Sequence, residues 1–122
     1  MPHEYSVDPA HRLVRVRMWG ALTRTEILAT VAELVDDPRL SPDFSEVIDV
    51  TEATAAEIQT DDVRLIASAL LDRVARRAFV APDPTVFGLA RMFGSFRDMK
   101  GTAEHVGVFR STREAEEWLG LG

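Results

Sequence analysis

The chain contains no cysteine. That excludes a disulfide framework, a thiolate nucleophile and a sulfur-ligated zinc site. Lysine is almost as scarce: Lys100 stands alone, and 13 of the 14 basic residues are Arg. Arg suits phosphate or carboxylate recognition, but beside abundant alanine it reads first as the product of GC-rich codons. No apolar run approaches the roughly 20 residues of a membrane span. "MPHEYSVDPAHR" lacks the basic start and apolar block of a signal peptide, so a cytoplasmic location is expected. His3, His11 and His105 have no ligand spacing, and no glycine-rich phosphate loop is present. No metal or cofactor is therefore expected. Ser68, Ser95 and Ser111 lack His and acid companions, which removes the parts of nucleophilic catalysis.

Positive charge is also in deficit. Twenty acidic against 14 basic residues leave a net charge of −6, which argues against nucleic acid and anionic lipid as partners. The basic run "RVARR" (Arg73 to Arg77) is too short to reverse that. What remains is globular: 122 residues, 46% hydrophobic and 28% charged, enough for one domain over 1–122 with a core of its own.

"RLVRVRMW" alternates, with Val14, Val16 and Met18 on one face and Arg15 and Arg17 on the other, as a strand with one wet face does. "EYSV", joined to it through "DPAH", predicts a hairpin partner, and Gly20 ends the pair. Thr23 and Glu26 have capping-box spacing at the head of "TRTEILATVAELVDDP". Ile27, Leu28, Val31, Leu34 and Val35 form its apolar stripe, and Pro38 stops it. "EVIDV" reads as a strand covered on both sides. A helix follows from about Asp61 to Val74, with Val63, Ile66, Ala67, Leu70 and Leu71 buried. "RAFVA" is a short strand, Thr85 to Met99 a helix, and "HVGVF" a strand. "TREAEEWLG" is the last helix, with Ser111 and Glu114 repeating the capping-box spacing and Gly120 past its end. The order β-β-α-β-α-β-α-β-α predicts an α/β fold, a mixed and mostly parallel sheet flanked by helices.

That order resembles the STAS domains, the anti-sigma-factor antagonists of SpoIIAA type. "DDPR", "EVIDVTEAT", "ARRAFVAPD", "FGLARMF" and "VFRSTREAEEWLG" are similar to the small stand-alone bacterial SpoIIAA-like proteins, also described as STAS/SEC14-like. The resemblance implies a SpoIIAA-like (STAS-like) fold and a non-enzymatic binding or regulatory interaction module. Its SEC14-like side implies an alternative, a carrier of a small apolar or amphipathic, lipid-like ligand.

In phosphoregulated STAS domains a serine opens the second helix; here the corresponding stretch is Gln59-Thr60-Asp61-Asp62. A phosphate on Thr60 would meet two carboxylates and be repelled, whereas Thr60 as N-cap with acids behind it is sufficient explanation. An alternative has Asp61 supplying a fixed negative charge where the phosphoserine would stand. The resemblance places a protein partner on Thr60, Asp61, Asp62 and Arg64. Strand ends facing the usual ligand crevice offer Asp49, Thr51 and Asp83, with Glu52, Thr54, Arg110 and Ser111 beside them. Turn chemistry explains the same residue types, and an enzyme would need a pairing such as Asp49 with Asp83. "TVFGLARMFGSFRDM" is broader in apolar surface than one sheet face covers: Val86, Leu89, Ala90 and Phe93 make a stripe that Met92, Phe96 and Met99 widen. That surface predicts a ligand cavity or a two-fold homodimer.

Overall fold

A computed structural model describes residues 3–55, 57–70, 75–101 and 104–121. Strand β1 (His3–Asp8) and β2 (Leu13–Met18) form the antiparallel hairpin, with Tyr5 opposite Val16 and Val7 opposite Val14. The turn between them closes with the Arg12 N–H on the Pro9 carbonyl, and Arg12 takes φ 49°. Asp8 holds the turn by accepting from the His11 N–H and ring Nδ1.

Helix α1 (Arg24–Asp36) begins where the capping spacing puts it: Thr23 Oγ accepts from the Glu26 N–H at 3.3 Å. Strand β4 (Ser45–Asp49) lies parallel to β2, β6 (Arg76–Val80) parallel to β4, and β7 (His105–Phe109) parallel to β6. The sheet order is β1-β2-β4-β6-β7. Each parallel step moves the same way across the sheet, so the three crossover helices lie on one face. These are α1, α2 (Thr60–Ala69) and α3 (Pro84–Lys100). The last helix, α4 (Thr112–Leu119), turns back onto the other face.

Period-two alternation sorts the side chains. Val16, Ile48 and Phe79 sit in one row under the three helices, and Val14, Glu46, Arg77 and Val106 in the next. Leu13, Val47, Ala78 and Val80 face α4, where Ala115 is fully buried and Trp118 leans on Phe109 with ring centroids 5.3 Å apart. Gly107 makes that approach feasible, since a Cβ there would come within 2.7 Å of the Phe109 ring and 3.2 Å of Trp118.

Several expectations are corrected. Helix α2 starts at Thr60 and ends at Ala69, rather than running from Asp61 to Val74; residues 71–74, and with them Leu71, lie outside the described residues. Its N-cap is Gln59, not Thr60. Gly20 does not simply end the hairpin: with φ 84° it opens β3 (Gly20–Ala21), which pairs parallel with β5 (Ala53–Thr54). Val35, placed on the inner stripe of α1, is 44% exposed. No helix among the described residues is long and apolar enough to cross a membrane.

Candidate functional site: an apolar cavity beside a buried ion network

α1 packs chiefly on α2, and α2 on α3. Between these helices and the sheet lies a cavity of about 120 Å³. Val16 and Ile48 form part of its floor, Ile27 and Leu34 its α1 wall, and Val63 and Ile66 its α2 wall. From α3 come Val86, Leu89, Ala90 and Phe93. Among the described residues two polar side chains reach the lining, Thr30 and Glu46.

The apolar candidates of α3 thus divide. Val86, Leu89 and Phe93 face the cavity; Met92 and Phe96 pack in the cluster shared with α2; Met99 is 80% exposed and belongs to neither. Of the flank that widened the stripe, Met92 and Phe96 pack in the cluster with α2, and Met99 is left exposed.

Phe93 also marks the edge of a feature absent from the sequence reading. Its ring meets Phe79 edge-on at 5.3 Å, and the Arg77 guanidinium lies 5.7 Å from its centroid. Arg77 Nε donates to Glu46 Oε1 at 2.9 Å, and Nη1 donates to Glu104 Oε2 at 2.6 Å. Arg97 donates to Glu104 Oε1 from Nε and Nη2, and from Nη1 to the carbonyls of Ala67 and Leu70. All four charged residues are buried, with Arg97 at 0% and Glu104 at 4% exposure. Among the described residues these two positive and two negative charges pair with one another, as burial demands. Arg97 closes the last turns of α2 onto α3 by taking up carbonyls that the helix end leaves unpaired.

A signal for this network exists. Arg97 follows Val86, Ala90 and Phe93 at the spacing of the same buried stripe, and Arg77 alternates with Phe79. Within "RVARR", weighed above only against nucleic-acid binding, Arg77 is the buried member. Arg76 is the exposed member, stacking on Trp118 at 5.2 Å and bonding its carbonyl; Arg73 lies outside the described residues.

The polar candidates are not brought together into one site. Asp49 Oδ1 accepts from the Thr51 N–H and hydroxyl, at 2.9 and 2.5 Å, which is an Asx turn. Asp83 N-caps α3 by accepting from the Thr85 and Val86 N–H groups, both at 3.0 Å. Each carboxylate is engaged in its own turn. At α2, Asp62 reaches back to the Gln59 N–H at 2.9 Å, and Arg24 stands 3.5 Å from its other oxygen. Thr60 is exposed in the first turn. Asp61 pairs with Arg64 at 3.2 Å, while Arg64 lies over Phe96 at 5.0 Å. Among the described residues no group of three or more His, Asp or Glu is arranged to hold a metal ion.

The "DDPR" segment has a structural role. Asp37 accepts from the Arg39 side chain and N–H and from Tyr5 Oη at 2.8 Å, tying the end of α1 to β1. The Arg39 guanidinium and N–H, then the Tyr5 hydroxyl, hold the Asp37 carboxyl far below the usual range. The bond to Asp37, with burial and its charge, pushes the Tyr5 phenol up.

No family model matches this chain, and no curated protein matches it in sequence. A solved structure does match in three dimensions. It is an uncharacterized protein from the DUF3478 family with a SpoIIAA-like fold, from Shewanella loihica PV-4. The match has a TM-score of 0.57 over 96% of this chain and 93% of that one, at 16% identity. The fold is SpoIIAA-like. At that identity the likeness speaks to the fold alone, and the SpoIIAA-like architecture is as the element order predicted.

Proposed function

We propose that this protein is a non-enzymatic binding module that holds a small apolar or amphipathic ligand between its sheet and α1–α3. The cavity of about 120 Å³, with apolar walls on every element, carries this reading. Its lining is almost wholly apolar, so water filling it would find few hydrogen-bond partners. An apolar cavity of roughly 150 Å³ stays dry and takes up benzene or xenon. This one therefore suits a short hydrocarbon chain or a single ring, and a whole phospholipid is too large for it.

Calorimetric titration with benzene tests the reading. Saturable binding is expected in the unaltered protein and its loss in Ala90→Leu, which fills the space and should not lower the melting temperature. Absence of binding, or equal binding by both proteins, would reject it.

A second reading places a regulatory protein partner on the start of α2. Leu65, 44% exposed beside the Asp61–Arg64 pair, favours it. Under this reading a partner captured by the unaltered protein is lost on Leu65→Asp; a partner retained by that variant docks elsewhere.

A further inference from the structure

We infer that the occupant of this cavity carries a neutral hydrogen-bond donor, as a short-chain alcohol or a phenol does. The inference rests on the cavity being the binding site. Its basis is the state of the two polar side chains in the lining.

Thr30 Oγ1 gives its proton to the Glu26 carbonyl at 3.0 Å, so toward a ligand it can only accept. Glu46 Oε1 is engaged by Arg77 Nε at 2.9 Å. Among the described residues its Oε2 has no hydrogen-bond partner, and it is not sealed off by protein. Glu46 shares its face with Ile48 and lines the cavity, so Oε2 opens into that apolar space. Arg77 Nη2 is unpaired as well, but it is sealed from the cavity and offers nothing to an occupant without rearrangement. Among the described residues the polar lining therefore presents acceptors alone.

An occupant without a donor leaves the carboxylate oxygen dry and unpaired, which is unfavourable. An anion or a bare acceptor meets two acceptors. A cation would give up its hydration in a lining that is almost wholly apolar, facing a carboxylate already engaged by Arg77, which is costly. A hydroxyl satisfies Glu46 and adds no charge.

The test uses three probes with the same four-carbon chain: 1-butanol, 1-fluorobutane and n-butylammonium. Binding is measured by calorimetry at pH 7 on the full chain. Butanol is expected to bind about ten-fold or more tightly than fluorobutane, the discrimination that a hydrogen bond to a charged group gives. Butylammonium is expected to bind no better than fluorobutane. In the unaltered protein, carboxylate carbon-13 resonances assigned to Glu46 should shift with butanol and not with fluorobutane. Equal affinity for butanol and fluorobutane would overturn the donor inference while leaving the cavity reading in place. Preference for butylammonium would overturn its neutrality. Failure of all three probes to bind, together with benzene, would remove the cavity reading itself.

Discussion

Glu104→Gln is the most informative perturbation of the buried network. Glu104 accepts from Arg77 at 2.6 Å and from Arg97 at 3.1 Å, and with 4% exposure water does not replace it. The substitution keeps the side-chain volume and removes the charge that both buried guanidinium groups share. Breaking a buried pair in this way costs about 3–5 kcal/mol. With m near 2 kcal/mol/M in urea, the unfolding midpoint should fall by roughly 2 M. Per-residue unfolding entropy of about 2.1 cal/mol/K over 122 residues converts the same loss to about 12–20 °C in melting temperature. The double variant Arg97→Met/Glu104→Gln removes one charge of each sign and leaves the Arg77–Glu46 pair balanced. It should recover much of the loss, though not all, because the Ala67 and Leu70 carbonyls lose their donor. Urea unfolding followed by circular dichroism reads both. A midpoint shift below about 0.5 M for Glu104→Gln at unchanged m would show that solvent reaches the network, and the burial argument would fail.

Two further outcomes follow from local geometry. Asp62→Ala should cost about 1 kcal/mol, because Asp62 makes the bond to the N-terminal N–H of α2, while Thr60→Ala should change stability within about 0.5 kcal/mol; the reverse ranking would restore Thr60 as the cap. Asp37 has a folded pKa depressed below its unfolded value near 4, so its contribution is complete above that value and is lost as pH falls through the folded one. Asp37→Asn should therefore be less stable than the parent at pH 6, with the difference shrinking as pH drops below about 4; a difference that grows on acidification would contradict the sign.

The architecture was legible because its signals are local. Capping spacing at Thr23–Glu26 and Ser111–Glu114, the alternation of Val14, Arg15 and Val16, and Gly120 in the left-handed region at φ 78° each express short-range physics. β3 and β5 were missed because two-residue bridges carry no period. Glu46, Arg77, Arg97 and Glu104 were missed because a binary pattern assigns every charge to the surface, while here charges from four segments pair with one another inside. Of the cavity, the sequence disclosed the α3 wall and its excess width. The remaining walls come from α1, α2 and the sheet, and how closely those layers meet is decided by long-range packing that no stretch of chain encodes alone. Turn residues such as Asp49, Thr51 and Asp83 attracted attention as a ligand rim, yet their hydrogen bonds are spent within their own loops.

Methyl-resolved NMR during titration with benzene addresses the binding claim most directly. Saturable shifts are expected at Val16, Ile48, Ile66 and Leu89, with Leu119 on the opposite face of the sheet unmoved. Shifts confined to exposed methyls such as Leu65, or none at saturation of the aqueous phase, would contradict the existence of an occupiable interior.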